Sequence, residues 1–131
     1  MRKGFTLLEL IIVIIIIGIL GALGFVQYAR VVERARTAEA KSLLGNIRSA
    51  EEAYRLEYGN YTATLSNLAV GVSTTCTITH YFSFSSTGGT TGAGTATRCT
   101  ADGKNPNFTA TAYTIAIDYI NAVWSGTAGY Y

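Results

Sequence analysis

Gly4-Phe5-Thr6-Leu7-Leu8-Glu9-Leu10-Ile11 opens the stretch on which the rest of the chain depends. From Phe5 to Ala29 the only charge is Glu9, and every other position is Leu, Ile, Val, Phe, Gly, Ala, Thr, Tyr or Gln. At 1.5 Å per residue such a helix runs roughly 37 Å, enough for a ~30 Å hydrocarbon layer with tilt. The carboxylate near one end is the anomaly. An ionisable group inside an apolar segment is expensive and implies a partner.

The chain has 131 residues, which leaves room for one modest domain beyond the apolar run. Its formal net charge is +2, and Arg2 and Lys3 carry that excess: without them eight basic residues face eight acidic ones. A balanced chain does not bind nucleic acid through bulk charge, and no specific nucleic-acid partner is expected. Met1-Arg2-Lys3-Gly4 is basic and very short. An ordinary signal peptide places its small-residue cleavage site after the apolar core. Here Gly4 precedes the core, so cleavage there would leave the core on the mature protein.

Arg2-Lys3-Gly4-Phe5-Thr6-Leu7-Leu8-Glu9-Leu10 resembles the prepilin processing motif of bacterial type IV pilins and of the related type II secretion pseudopilins. The resemblance covers about the first 25 residues. It implies a leader, residues 1–4, removed by a prepilin peptidase acting after Gly4. It implies N-methylation of the new terminus, Phe5, and a pairing of Glu9 with the terminal amine of Phe5 in a neighbouring subunit. Charge arguments agree. An unpaired carboxylate in an apolar assembly costs several kcal/mol or takes up a proton. An α-amino group titrates near pH 7.7–8.0, and a single methylation keeps its charge. Cleavage at Gly4 places that amine four positions from Glu9, too close for a good buried pair within one helix but well placed between two staggered ones.

Residues 5–29 are thus expected to form a transmembrane or filament-core helix. Orientation does not follow from charge, because Arg2 and Lys3 on one side face Arg30, Arg34, Arg36 and Lys41 on the other. The processing motif and the cysteines favour a cytoplasmic N-terminus. Gly18, Gly21 and Gly24 recur every three residues within the run. Many pilins carry a proline near the end of this segment; here Val26 stands around there and the only proline is Pro106. The glycines are read either as a soft point where the helix kinks or unwinds, or as notches for close helix packing.

Residues 30–58 continue the helix as an amphipathic stretch. Ala40, Leu43, Leu44, Ile47, Ala50, Tyr54 and Tyr58 recur at spacings of three and four and mark one apolar face. Glu51 and Arg55 read as an i,i+4 pair on the opposite side. Gly59 suits the position after a helix end.

Residues 59–131 read as a β-sheet head. A short turn is expected around Leu65 and Leu68. Cys76–Phe84 reads as a first strand with Ile78, Phe82 and Phe84 on one face, and 85–94 as a turn. Thr95–Thr100 reads as a second strand, and 101–107 as a loop. Thr111–Ile120 alternates as a half-buried strand, with Tyr113, Ile115, Ile117 and Tyr119 on one face. A last short strand at 123–125 precedes a tail. The expected fold is α+β, pilin-like: a long N-terminal helix whose amphipathic half packs on an antiparallel meander.

Cys76 and Cys99, near the start of the first strand and the end of the second, suit a disulfide between neighbouring strands outside the cytoplasm. Two cysteines and one histidine cannot fill a zinc site, and Asp102 and Asp118 are too few for calcium, so no metal or cofactor is expected. His80 is read as a structural histidine on the apolar face of its strand. Asn60-Tyr61-Thr62 and Asn107-Phe108-Thr109 match the N-glycosylation pattern, which arises often by chance. No catalytic constellation is present, and no enzymatic activity is expected. Three readings follow: a type IV pilus subunit, a pseudopilin of a type II secretion system, or a membrane-anchored binding protein that never polymerises. The first implies partners in the chain itself, a prepilin peptidase/methyltransferase, a pilus assembly platform and the inner membrane before assembly.

Overall fold

The computed structural model describes residues 4–100, 103–104 and 112–131, apart from the side chains of Val26, Ala29 and Arg30. In chain order it contains helix α1 (Leu7–Tyr58) and strands β1 (Phe82–Thr87), β2 (Ala93–Arg98), β3 (Thr114–Asp118) and β4 (Trp124–Gly126). A single 3-10 turn spans Leu65–Asn67. The fold is α+β. The chain divides into two compact units, Met1–Val32 and Glu33–Tyr131.

In the first unit, residues 7–32 are helical throughout, Gly18, Gly21 and Gly24 included. Leu7–Phe25 is long and apolar enough to cross a membrane, and none of it is buried.

The second unit, the head, begins at Glu33. Its helical part places Glu33, Thr37, Ala40, Leu44, Ile47 and Glu51 at spacings of four and three, and all six are buried. The stripe ends at Gly59, whose φ of +86° is the left-handed conformation a glycine adopts at low cost, with its N–H bonded to the Arg55 carbonyl at 2.8 Å. Against this stripe lies a four-stranded antiparallel meander in the order β1-β2-β3-β4. Phe84 pairs with Ala96, and Ala96 with Ile115. On the helix-facing side β1 offers Phe82 and Phe84, β2 offers Gly94 and Ala96, and β3 offers Ile115 and Ile117. Tyr113 and Tyr119 flank β3 and are buried. The glycines just before and within β2 have a specific reason. A Cβ on Gly92 would stand 2.4 Å from the Tyr119 ring, and one on Gly94 would stand 3.2 Å from Leu44 Cδ2. They make room for a tyrosine and a leucine to meet at the centre of the core.

The segment between helix and sheet closes one edge. The 3-10 turn Leu65–Asn67 lies where a short turn is expected, and Leu65 and Leu68 are buried. Tyr61 pairs with Gly89 by two backbone hydrogen bonds of 3.0 Å, which fastens this segment to the β1–β2 turn.

Four expectations are corrected. The first strand starts at Phe82, not Cys76, and Ile78 is 83% exposed instead of sharing a face with Phe82 and Phe84. Residues 76–81 are irregular because the disulfide and the backbone bond from His80 N to Thr77 O turn them away from the ladder. β1 and β2 extend to Thr87 and from Ala93, so the turn is shorter than 85–94. Glu51 does not pair with Arg55 on the outer face: it is fully buried, and Arg55 instead lies 3.9 Å from Glu52. Tyr58 is exposed and adds no core. The expected 101–107 loop, apart from Gly103 and Lys104, lies outside the described residues, as do Thr111 and the Asn107 pattern.

Candidate functional site

The N-terminal segment presents Gly4 and Phe5 ahead of the helix, with Phe5 90% exposed. Thr6 caps the helix. Its Oγ1 accepts from the Glu9 N–H at 3.3 Å, and Glu9 Oε2 accepts from the Thr6 N–H and the Thr6 hydroxyl, both at 2.8 Å. This is a capping box, threonine at the cap and glutamate three positions on, which satisfies helix-end donors reciprocally. All of these bonds to the carboxylate fall on Oε2. A carboxylate offers about four lone-pair sites, so capping leaves Glu9 with acceptor capacity for a further partner. Around and beyond Glu9, Leu8, Leu10, Ile12, Val13 and Ile16 are all exposed. A Cβ at Gly18, Gly21 or Gly24 would meet nothing within 4 Å in the monomer, so any close approach these glycines serve is to another molecule.

The head carries two buried polar clusters that periodicity alone did not separate from core. In the first, the Glu33 carboxylate takes Arg98 Nε and the Tyr113 hydroxyl (2.7 Å) on Oε1, and Arg36 Nη1 (2.8 Å) on Oε2. Arg98 is 1% exposed. Its Nη1 donates to the carbonyls of Tyr81 and Lys104, and the guanidinium lies over the Tyr81 and Phe82 rings at 5.1 and 5.6 Å. Its Nη2 is buried without a hydrogen-bond partner among the described residues, and the ring faces supply partial compensation. Burial pushes the Glu33 carboxyl up, but the hydrogen bonds from Arg98 and Tyr113 and the charges of Arg98 and Arg36 outweigh it and hold the group below its ordinary value. Burial, then the hydrogen bond and charge of Glu33, push the Tyr113 hydroxyl far above its ordinary value.

The second cluster centres on Glu51. Its Oε2 accepts from the Thr62 N–H at 2.9 Å, and its Oε1 from the Ser86 hydroxyl at 2.7 Å. Ser86 Oγ also lies 2.8 Å from the Tyr119 hydroxyl. One carboxylate therefore ties the helix to the following loop, to β1 and, through Ser86, to Tyr119 at the end of β3. Burial pushes Tyr119 up to about 12; its contact with Ser86 opposes that rise, and the charge of Glu51 adds to it.

Cys76 and Cys99 form the disulfide. Cys99 directly follows β2, whereas Cys76 lies six residues ahead of β1. His80 is exposed and outside any strand, with Nδ1 at 2.6 Å from the Thr77 hydroxyl. Asp118 Oδ1 accepts from the Asn121 N–H in the β3–β4 turn. Among the described residues no three His, Cys, Asp or Glu side chains come together as a metal site. At Asn60-Tyr61-Thr62, Thr62 is buried and its hydroxyl accepts from Thr64 N and Asn67 Nδ2.

Sequence reading missed Glu33, Glu51 and Arg98. The signal was present: the three-and-four spacing that selects Ala40, Leu44 and Ile47 continues backward through Thr37 to Glu33 and forward to Glu51. Arg98 likewise holds the inward register of Gly94 and Ala96.

The chain matches the family model described as type IV pilin-like G and H over residues 37–125, and that of the prokaryotic N-terminal methylation motif over residues 1–25. No curated protein and no solved structure matches it. The first match takes in most of the head and more than half of the chain, and the second ends where the exposed apolar helix ends: the chain belongs to the type IV pilin-like family.

Proposed function

We propose that the chain is a structural subunit of a bacterial type IV pilus that polymerises through its N-terminal helix, with adhesion, motility or DNA uptake belonging to the assembled fibre. The observation that carries this reading is the apolar helix Leu7–Phe25, unburied in the monomer, with a single carboxylate at its start. Such a surface is stable only in a bilayer or against other copies. The subunit waits in the inner membrane with residues 1–4 in the cytoplasm and the head outside. A prepilin peptidase cleaves after Gly4 and Phe5 is methylated. The assembly platform then transfers the helix from lipid to the filament core, where the Phe5 ammonium of one subunit meets Glu9 of another. Glu9 can do this while still capping Thr6, because its bonds within the helix occupy Oε2. A carboxylate with one counter-charge in an apolar core acts as a register device. Gly18, Gly21 and Gly24 serve close packing between copies or a local softening of the helix during that transfer.

The disulfide and the Thr-, Ser- and Gly-rich head favour a pilus over a secretion pseudopilus. The deciding experiment is electron microscopy of filaments sheared from the cell surface, with mass spectrometry of their subunit. A main component beginning at methylated Phe5 is the expected result. Filaments found only in the periplasm, in cells that need the chain to secrete a folded protein, would establish the pseudopilin. A chain retained with its leader and never polymerised would establish a simple membrane anchor.

A further inference from the structure

A cavity of about 120 Å³ opens on the head, between the helical stripe and the residues that lead into β1. Ala40, Phe82 and Phe84 are buried and form its inner wall, with half-buried Leu43 and Tyr81 beside them. Glu39, Thr79, His80 and Lys104 are exposed and form its mouth. The space is left where residues 76–81 turn away from the ladder, beside a helix residue, Ala40, too small to fill it.

The polar mouth is built. The Lys104 N–H donates to the His80 carbonyl at 3.0 Å, and the Lys104 carbonyl accepts from Arg98. Gly103 packs so closely on Cys99 that a Cβ there would clash with the Cys99 side chain. His80 Nδ1 lies 2.6 and 2.9 Å from the Thr77 and Thr79 hydroxyls, which fixes the ring and leaves Nε2 for a further partner. The ion pairs of the head join Glu33 to Arg36 and Arg98, and Glu52 to Arg55. Among the described residues neither Glu39 nor Lys104 has a counter-charge. An apolar recess with a few convergent polar groups at its opening is the general form of a small-molecule site.

We propose that this cavity binds a free α-amino acid with a small branched apolar side chain. The ligand's carboxylate meets Lys104 and His80, its ammonium meets Glu39, and its side chain enters the recess against Leu43, Phe82 and Phe84. Opposite unpaired charges at one mouth fit a zwitterion and no singly charged ligand as well. The volume agrees: an apolar cavity of ~150 Å³ admits benzene, and this one takes a somewhat smaller body such as an isobutyl group. A neutral sugar would need an open aromatic face. Tyr81 carries Arg36 at 4.3 Å and Lys104 at 4.7 Å from its ring centre, and Phe82 and Phe84 are buried. Every residue of the site lies within the head, Glu33–Tyr131, so the inference does not rest on how the chain assembles.

The test uses the full chain, isotope-labelled in detergent micelles and titrated with L-leucine. Saturable shifts of the Glu39, Leu43, His80, Phe82 and Lys104 amide signals are expected. L-leucinamide, which lacks the carboxylate, and isocaproate, which lacks the ammonium, are each expected to bind about tenfold more weakly. L-leucine is expected to lose affinity to a similar degree in Glu39→Gln and in Lys104→Gln. Both replaced side chains are exposed, and an intact Cys76–Cys99 bond with unchanged Tyr119 signals verifies the fold of each variant. The absence of any saturable shift with L-leucine would overturn the proposal. So would equal affinity in the wild type and both variants, or glucose producing the same shifts as tightly.

Discussion

Arg98 and Glu33 stand 65 positions apart in sequence and meet as a buried ion pair, with the arginine side chain fully covered and the carboxylate 9% exposed. The pair joins the start of the head's helical stripe to the end of β2. Removing one partner leaves the other charge buried and uncompensated, which costs ~3–5 kcal/mol. Arg98→Ala and Glu33→Ala are each expected to lower head stability by about that much in denaturant titrations followed by tyrosine fluorescence. The Glu33→Met/Arg98→Met double replacement, which buries no charge, is expected to cost less than either. Equal and additive losses would show that the pair is not coupled.

The same cluster sets an acid limit. The folded-state Glu33 carboxyl is held below its ordinary value of 4.5, so the group stabilises the head fully above that value. The contribution is lost as pH falls through the lower, folded-state value. Thermal stability should therefore be level in this respect from pH 7 to 5 and decline below about 4.5, the decline being shallower in Glu33→Gln. A decline of the same depth in that variant would move the cause to another carboxylate.

The Glu51 cluster separates shape from charge. Glu51→Gln keeps the side chain's volume and an acceptor for the Thr62 N–H, whereas Glu51→Ala strands that donor, although the Ser86 hydroxyl keeps the Thr62 carbonyl and the Tyr119 hydroxyl as partners. A stranded buried group costs ~1–3 kcal/mol. The alanine variant is expected to lose stability and hydrogen-exchange protection at Thr62, and the glutamine variant to lose little of either.

The disulfide closes a loop with a sequence separation of 23. Such a loop stabilises by roughly 3 kcal/mol in the chain-entropy treatment. The Cys76→Ser/Cys99→Ser chain should show that loss in the head's denaturation midpoint, while membrane insertion of residues 7–25 stays unchanged. A midpoint unaffected by the substitutions or by reductant would mean that the hydrogen bonds from Phe84 N to Ser73 O and from Cys99 N to Tyr81 O already fix the segment.

Much of this architecture was legible in the residues, for identifiable reasons. The helix from the apolar run to Gly59 follows from composition, period and a glycine stop. β3 follows from the strict alternation of Tyr113, Ile115, Ile117 and Tyr119. The first strand was misplaced because Thr77, Ile78 and Thr79 have strand-forming side chains, and only the tertiary link to Cys99 keeps them out of the ladder. Glu51 reads as a surface residue because Arg55 stands at i+4 as a ready partner. The stripe's spacing carries on from Ile47 to Glu51, but its partners Thr62 and Ser86 come from outside the helix, where no local pattern announces them. Arg98 shares the inward register of Gly94 and Ala96, but a strand of Gly, Thr and Ala gives that register little contrast between its faces.

At the N-terminus, Thr6 and Glu9 share one capping box, so loss of the carboxylate could impair filaments either by weakening the helix end or by removing the counter-charge for a neighbour's amine. Three substitutions separate these. Thr6→Val removes the cap and keeps the charge. Loss of a threonine cap costs about 1 kcal/mol, small beside the burial of the whole apolar helix. Glu9→Gln keeps a capping side chain, since glutamine serves at that position, but loses the charge. Glu9→Val loses both. If Glu9 pairs with the Phe5 ammonium of another subunit, all three chains are cleaved after Gly4, Thr6→Val assembles nearly as wild type, and both Glu9 variants yield few filaments. The count of filaments by microscopy, with leader removal followed by mass, reads the outcome. Normal filament numbers from Glu9→Gln, with loss in Thr6→Val, would assign the carboxylate to capping alone and leave the amine to find its partner elsewhere.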